Sequence, residues 1–249
     1  TDAKEPIVVT LWHPHWAYTA FKLKDLKDPK GAMGKPDSIH TIASKDFNSS
    51  NPDVTNALKK FHMDDATLSD LEKVVLQENP KDSAKGAEEW VKANPDVVSK
   101  MLPDSVDGSG DTVTIGIAAG WAEDVAVTAL WKQVLEDHGF TVETKELDVA
   151  PVFVGVSKGD LDLFFDTWLP TTHADYWKKY GDQVVDLGVW YDKAPLTITV
   201  PTYMKDVNSI ADLKKSSVGD EVDWDITGID PGAGLTKVTK QAMKAYGLD

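Results

Sequence analysis

Hydrophobic and polar positions follow two different periods through the second half of the chain. Short runs of β-branched and aromatic residues at 112–117, 141–147 and 161–165 are typical of buried strands. Between them, at about 123–137 and 152–157, lie longer stretches in which apolar residues recur at helical spacing. The order strand, helix, strand, helix, strand predicts an α/β region built on a parallel sheet.

The pattern predicts further elements on both sides of this region. Gly139 follows the first of these helices as a stop signal. Asp230 is a candidate N-cap and Pro231 suits the first position of a last helix, which runs to Tyr246 and ends at Gly247. The other predicted elements are strands at 7–11, 39–43 and 226–229, extended segments between 186 and 204, and helices at 52–61, 66–77, 84–93 and 209–213.

One stretch interrupts the periodic pattern. Residues 102–111 are turn-forming and small polar residues with no apolar periodicity. This composition is typical of a linker. The chain is therefore predicted to contain two regions that are joined at this stretch.

Two aromatic motifs follow predicted strands. Residues 12–16 read Trp-His-Pro-His-Trp after the strand at 7–11, and residues 168–173 read Trp-Leu-Pro-Thr-Thr-His after the strand at 161–165. We expect the first tryptophan of each motif just past the C-terminal end of its strand, where α/β proteins bind ligands. Large rings held there by a neighbouring proline can grip a cation through their π faces. The pattern favours a binding protein over a catalyst.

Composition and charge narrow the possible functions. The 249 residues are 41% hydrophobic and contain no run long enough to span a bilayer, which allows one large or two modest cores. The absence of cysteine excludes disulfides, thiol nucleophiles and thiolate metal sites. A net charge of -15 without a basic cluster argues against nucleic acid and anionic membranes as partners.

Five motifs in a consistent register together resemble the glycine betaine binding proteins of ABC importers, the OpuAC-like group. The resemblance covers almost the whole chain, and no single motif decides it. The motifs are Trp12-His13-Pro14-His15-Trp16, Gly120-Trp121-Ala122-Glu123-Asp124, Asp166-Thr167-Trp168-Leu169-Pro170-Thr171-Thr172-His173, Val200-Pro201-Thr202-Tyr203-Met204 and Gly228-Ile229-Asp230-Pro231-Gly232-Ala233-Gly234.

The resemblance implies an α/β fold of the periplasmic-binding-protein type, class II, with two lobes. Each lobe is expected to be a mostly parallel sheet flanked by helices, with the ligand in the interlobe cleft. The expected lobes are residues 1–38 plus 200–249 and residues 39–103 plus 111–199, with 104–110 as the linker.

The order of the motifs differs from that of many relatives. In those relatives the segment equivalent to Asp111 onward comes first and the Trp-His-Pro-His-Trp segment comes late, which indicates a circular permutation here. Such folds tolerate permutation when their termini meet at the surface. The family also carries a strand and a helix between the equivalents of Asp249 and Lys4, and this chain has nothing there, so the lobe assembled from its two ends is expected to be incomplete.

By resemblance, six residues form the ligand site. Trp12, Trp121 and Trp168 would enclose a quaternary ammonium, whose methyl groups offer no N–H donor and suit aromatic faces. The ligand carboxylate would bind to the backbone N–H groups of Gly228 and Ile229 and to the side chain of His173. Gly228 and Ile229 lie just before a helix N-terminus, where anions are stabilised.

The function implied is that of an extracytoplasmic solute receptor and not an enzyme. It would bind glycine betaine, or a related zwitterion such as proline betaine, and deliver it to an ABC permease for osmoprotection. The expected protein is a monomer without cofactor or metal, at the cell surface or in the periplasm, anchored to lipid or fused to a permease in its full-length form. Choline is a poor candidate because it lacks the carboxylate.

Two alternatives come from other functional classes. The first is a metal-dependent hydrolase that uses His13, His15 and His173 with a carboxylate such as Asp166. Neither a nucleophile-elbow nor a zinc-protease helix motif is present to support it. The second is a recognition module whose aromatic cage binds methylated amines on a macromolecule, although such modules are usually much smaller.

Overall fold

The computed structural model describes residues 5–248 and divides them into two compact units. The first unit comprises residues 5–37 and 193–248, and the second comprises residues 38–192. The chain therefore passes from one unit to the other twice, after Asp37 and after Asp192. Each unit has its own sheet and its own helices.

Eight strands are found among the described residues, and each unit carries its own set of them. They are β1 Val9–Trp12, β2 Leu23–Asp25, β3 Asp37–Ser44, β4 Thr112–Ala118, β5 Thr141–Leu147, β6 Leu163–Leu169, β7 Val184–Ala194 and β8 Leu196–Pro201.

The helices of the described residues range from single turns to the sixteen residues of the longest. The α-helices are α1 Ala17–Ala20, α2 Lys45–Ser50, α3 Pro52–Leu58, α4 Asp65–Glu72, α5 Ser83–Ala93, α6 Pro95–Val98, α7 Ala122–Asp137, α8 Val149–Lys158, α9 Ala174–Tyr180, α10 Ser216–Gly219 and α11 Gly234–Tyr246. A π-helix at Lys73–Glu78 continues α4, and 3₁₀ turns lie at Gly181–Gln183, Ile210–Lys214 and Asp220–Val222.

The sheet of the first unit has the order β1-β8-β2, and both pairings are antiparallel. Helix α11 contacts β1 and buries Leu235, Val238, Ala242 and Tyr246. These residues recur at the three- and four-residue spacing of one helix face, which is the pattern of a helix that covers a sheet. The helix thereby fixes the segment that precedes it against β1.

The sheet of the second unit has the order β5-β4-β6-β3-β7. β4 pairs in parallel with both β5 and β6, whereas β3 is antiparallel to β6. Every residue of β6 is buried, and α7 contacts β4, β5 and β6. A central strand covered on both faces is expected to lack the polar alternation of a solvent-facing strand.

Several sequence-based predictions of elements are confirmed. The strand at 141–147 has the bounds of β5, and α7 ends at Asp137, two residues before Gly139, whose φ is +85°. The last helix ends at Tyr246, and Gly247 follows with φ of +63°. Both glycines adopt the left-handed conformation that ends helices without a Cβ penalty.

The start of the last helix was predicted wrongly. α11 begins at Gly234 with Ala233 as its N-cap, not at Pro231. The Asp230 carboxylate instead accepts a hydrogen bond from the Gly232 amide at 2.8 Å. That short-range bond forms a turn of the kind that aspartate favours, and the turn delays the helix.

Two predicted strands also differ from the structure. β6 extends to Leu169, so Trp168 lies inside it and pairs with Ile39 rather than sitting past its end. The polar pair Asp166 and Thr167 broke the apolar run in the sequence, yet both residues are buried within the strand. Residues 226–229 make only one bridge, from Thr227 to Val9, and form no strand.

The expected lobes and sheets need two corrections. The sheet of the first unit is antiparallel throughout, so the expectation of a mostly parallel sheet in each lobe is wrong there. The boundary also moves, because residues 193–199 belong to the first unit and not to the second. β8 pairs with both β1 and β2, and these ladders tie it to the first unit.

The segment at 104–110 lies within the second unit and not outside both units. The amide of Gly108 donates to the carbonyl of His138 at 2.7 Å, and the amide of Gly110 donates to Gly139 at 2.8 Å. A Cβ on Gly108 would lie 2.4 Å from the Phe140 ring, so the close packing requires glycine. The segment is thus bound to the turn between α7 and β5.

A buried carboxyl group lies between two helices of the second unit. Glu72, at the end of α4, is 1% exposed, and neither of its carboxyl oxygens has a partner among the described residues. Burial, and next the nearby charge of Glu123, raise the pKa of Glu72 to about 9. The folded protein therefore keeps this group protonated at neutral pH, while the unfolded chain ionises it.

We predict that Glu72→Gln stabilises the protein at pH 8 and leaves its stability unchanged near pH 4. A folded-state pKa above the unfolded value makes stability fall as pH rises, between the unfolded value and about 9. Gln does not titrate, so the variant is expected to gain on the order of a few kcal/mol at pH 8. Thermal unfolding across pH measures the gain. Glu143→Gln, on the exposed side of β5, is the matched control, and identical pH slopes for Glu72→Gln and wild type would contradict the prediction.

Candidate functional site

Three of the six expected site residues lie together in the second unit. Trp168 is in β6, His173 is the N-cap of α9, and Trp121 is the N-cap of α7. The Trp121 and His173 rings are stacked, with centroids 5.5 Å apart and an interplanar angle of 12°. All three side chains are buried. The structure therefore groups two indoles and one imidazole within one unit.

Two reciprocal hydrogen bonds close the turn from Trp168 to His173. The Trp168 amide donates to Nδ1 of His173 at 2.9 Å, and the His173 amide donates to the Trp168 carbonyl at 3.0 Å. A cis peptide bond joins Leu169 to Pro170 within this turn. The turn fixes the imidazole relative to the backbone of the strand.

The protonation state of His173 follows from these contacts. The residue is fully buried, and burial lowers its pKa to about 3, so the ring is neutral at physiological pH. Nδ1 accepts a hydrogen bond and must carry the lone pair, which leaves the proton on Nε2. Nε2 has no partner among the described residues. An unpaired buried N–H is costly, and it is a ready donor for an anion.

The indole of Trp168 has a polar partner that the sequence did not indicate. Its Nε1–H donates to Oδ1 of Asp166 at 2.8 Å, and both side chains are buried. Burial, and next the charges of Glu123 and Asp124, raise the pKa of Asp166 well above its usual range. Residues two apart on a strand share a face, so the spacing of Asp166 and Trp168 was the signal that could have revealed this pair.

Trp12 is the last residue of β1 in the first unit, and the loop after it is held by a polar network. Nε2–H of His13 donates to the Asp25 carboxylate at 2.8 Å, and the His13 ring stacks on Tyr18 with centroids 3.9 Å apart. The Tyr18 hydroxyl donates to Asp25 at 2.6 Å, and so does that of Thr199 at 2.8 Å. Burial tends to raise the pKa of Asp25, but these hydrogen bonds outweigh burial and lower it.

His15 packs directly on Trp12. The two rings meet edge to face with centroids 4.8 Å apart, and Nδ1 of His15 accepts the Ala17 amide at 3.1 Å. Burial, and next the charge of His13, lower the pKa of His15 to about 4, so its ring is neutral at physiological pH. Because the imidazole of His15 is uncharged, it packs against the Trp12 indole without acting as a second cation beside that ring.

Gly228 and Ile229 follow directly on the bridge between Thr227 and Val9. Thr10 donates its amide to the Thr227 carbonyl at 2.9 Å, which brings this segment alongside β1 and its terminal residue Trp12. Among residues 5–248, neither the Gly228 nor the Ile229 amide donates to a protein acceptor. The Thr236 hydroxyl fixes the segment by donating to the Ile229 carbonyl at 3.3 Å. Two backbone donors are thus left available in the first unit.

Gly228 is not required by a left-handed turn. It is exposed and lacks a positive φ, and a Cβ built on it would come no closer than 3.9 Å to another group, the Thr10 hydroxyl. The protein's own packing therefore does not explain the glycine. A residue without a side chain leaves the backbone here open to close approach.

The residues of the hydrolase alternative lie in different units. His13 and His15 belong to the first unit, whereas His173 and Asp166 belong to the second. One ring nitrogen of each histidine has a protein partner, namely Asp25, the Ala17 amide and the Trp168 amide in turn. Within the described part of the chain, no group of three or more His, Asp or Glu side chains is placed to hold a metal ion.

The six expected site residues thus form two sets. Trp121, Trp168 and His173 are together in the second unit, and Trp12, Gly228 and Ile229 lie on neighbouring segments of the first. None of the helices in residues 5–248 is long and apolar enough to cross a bilayer.

Comparison with known proteins decides the family. The model of the substrate binding domain of the ABC-type glycine betaine transport system, OpuAC, matches residues 1–93 and 111–249. The chain belongs to the OpuAC family. OpuAC proteins are solute-binding components of ABC transporters and not enzymes, and the hydrolase alternative is not supported. The match falls on both sides of residues 94–110, while the circular permutation stays a prediction.

Three similar proteins illustrate the relationship. The chain is 35% identical over 214 residues to the glycine betaine/carnitine transport binding protein of Listeria monocytogenes, covering 86% of this chain and 70% of that protein. It is 30% identical over 139 residues to an uncharacterized protein of Chromohalobacter salexigens, covering 54% of this chain and 88% of that one.

The third is the solved glycine betaine/L-proline-binding protein ProX of Borrelia burgdorferi. It is 29% identical and has a TM-score of 0.47, and the match covers 56% of this chain. The match spans about half of the solved chain, 51% of its length.

We predict that the free protein holds His173 as the neutral Nε2–H tautomer. A ¹⁵N NMR titration of histidine-labelled protein, with the signal assigned through His173→Gln, should show this tautomer unchanged from pH 8 down to pH 5. The reason is that the lowered pKa of about 3 keeps the ring neutral throughout this interval. A titration midpoint near the ordinary histidine value, or a proton on Nδ1, would show that the geometry is wrong.

Proposed function

We propose that the chain is an extracytoplasmic receptor for glycine betaine or a closely related quaternary ammonium zwitterion, which it delivers to an ABC permease. The observation that carries the proposal is the buried, unpaired Nε2–H of His173, stacked on Trp121 and bonded through Nδ1 to Trp168. A donor for a carboxylate is thereby held next to two indoles that suit a quaternary ammonium.

The aromatic side chains supply the cation-binding half of the proposed site. Each indole face attracts a cation by roughly 0.5–2 kcal/mol and offers an apolar surface to methyl groups. In the proposal Trp121 and Trp168 supply this half in the second unit, and Trp12 is the proposed aromatic residue of the first. Acidic residues exceed lysines in the second unit and roughly balance them in the first, so the field of the second unit also favours cations.

Backbone amides and one imidazole supply the anion-binding half. The sequence contains no arginine, the side chain best shaped to hold a carboxylate with two hydrogen bonds. The free amides of Gly228 and Ile229, together with His173, are suitable donors in its place. Because these donors are uncharged, no cationic side chain competes with the ligand's own ammonium group for the ligand's carboxylate.

The donor set narrows the ligand class. Glycine betaine, proline betaine and carnitine carry both the ammonium and the carboxylate, whereas choline would leave three donors without an anion. The relative from Listeria monocytogenes is named for glycine betaine and carnitine. We propose that zwitterions bind and that choline binds much more weakly. We further propose that the receptor acts as a monomer, in osmoprotection, at the cell surface or in the periplasm.

We predict that glycine betaine binds at least about 10-fold more tightly than 3,3-dimethylbutyrate, as measured by titration calorimetry. The two ligands have the same shape and carboxylate, but the second replaces the charged nitrogen with carbon. Cation–π attraction of about 1.4 kcal/mol or more across the rings gives this ratio. Equal affinities would show that the rings act only as an apolar wall, and no binding of either ligand would sink the proposal.

We also predict that Trp168→Leu weakens glycine betaine binding about 10-fold or more, while Trp168→Phe loses less. Leucine keeps an apolar surface but has no π face, so the difference between the two variants isolates the aromatic contribution. Trp224→Leu is the control, because Trp224 is 60% exposed and lies in neither set of site residues. An unchanged affinity in Trp168→Leu would remove Trp168 from the site.

A further inference from the structure

A carboxyl group lies directly behind one of the proposed ligand-binding rings. Asp166 and Trp168 are two residues apart in β6, so their side chains leave the strand on the same face. Oδ1 of Asp166 is 2.8 Å from the indole Nε1, and both residues are at most 2% exposed. The hydrogen bond is therefore shielded from water on both sides.

We propose that Asp166 is a positioning residue, which fixes the plane of the Trp168 ring and so the face that the ring offers to a ligand. This inference rests on the proposed function, because it concerns how one wall of the same site is oriented. Asp166 itself would not touch the ligand.

The other hydrogen bonds of Trp168 involve its backbone and not its ring. Its backbone is held by pairing with Ile39 in β3 and by both hydrogen bonds with His173. None of these contacts involves the indole nitrogen. Attraction to a cation depends on presenting the ring face rather than its edge. A bond at Nε1 lies in the ring plane and therefore restricts rotation of that plane.

The surroundings of Asp166 favour an acceptor role over a charge-bearing role. Glu123 and Asp124 are each fully buried near it, and a hydrogen bond links Glu123 to Asp166. Burial and these neighbouring acids raise the pKa of Asp166 well above its usual range, which disfavours its charged form. An uncharged acceptor can orient an indole as well as a carboxylate can, which makes asparagine a suitable replacement.

A double-mutant cycle with titration calorimetry of glycine betaine tests the role. Asp166→Leu removes the acceptor while keeping a side chain branched at Cγ and is expected to weaken binding about 10-fold, whereas Asp166→Asn retains a carbonyl acceptor and should stay within about 3-fold of wild type. In a Trp168→Phe background the ring has no N–H, so Asp166→Leu should then change affinity less than 2-fold. A general packing role would persist in that background, and this result would overturn the proposal.

The indole resonance gives a readout that needs no ligand. In ¹H–¹⁵N spectra the Nε1–H signal of Trp168, assigned through Trp168→Phe, should move upfield in Asp166→Leu and remain near its wild-type position in Asp166→Asn. An unmoved signal in Asp166→Leu would overturn the inference even if the variant folds poorly enough to prevent titration.

Failure of the inference is distinguishable from failure of the proposed function. If wild type binds glycine betaine and Asp166→Leu binds it equally well, the positioning role falls and the receptor remains. If wild type binds no quaternary ammonium zwitterion, the proposed function falls first. Glu72→Gln is the matched control, because Glu72 is buried near Glu123 but makes no hydrogen bond to Trp168, and it should leave affinity unchanged.

Discussion

The hydrogen bond from the Trp168 amide to Nδ1 of His173 is the constraint on which the candidate site depends. It places the imidazole proton on Nε2 and holds that donor inside the second unit, where burial keeps the ring neutral. The same bond ties the imidazole to the strand that carries Trp168, and the imidazole in turn stacks on Trp121. One short turn thus joins the proposed anion donor to the two rings that are proposed to bind a cation.

The first unit carries a different set of hydrogen-bond donors and a different aromatic residue. Its proposed anion donors are backbone amides beside β1, which need no side chain and no charge. Its aromatic residue, Trp12, ends the strand and is supported by the neutral ring of His15, while Asp25, Tyr18 and Thr199 hold the following loop by hydrogen bonds. Both units therefore combine a rigid strand, a buried indole and uncharged donors, which suits a zwitterion that carries its own two charges.

The sequence predicted the main elements of the second unit because the apolar period there is strong. β5 has the predicted bounds, and α7 begins one residue before its predicted start. It failed where local polar chemistry competes with the period, as at Asp230, whose turn delays α11, and at Asp166, whose polarity hid the extension of β6. The six site residues came from resemblance to a family. The hydrogen-bond partners of these residues could not be predicted in this way. A tautomer and an indole–carboxyl contact depend on side-chain geometry, which residue identity alone does not fix.

The most direct test of the account observes the His173 donor while the ligand binds. Protein labelled with ¹⁵N at histidine is titrated with glycine betaine carrying ¹³C at its carboxyl carbon, and the Nε2–H signal of His173 is followed. The Nε2–H proton is expected to move downfield as the ligand binds and to reach a plateau at saturation, while Nδ1 keeps its lone pair. An Nε2–H signal that stays unchanged while glycine betaine saturates the protein would contradict the account.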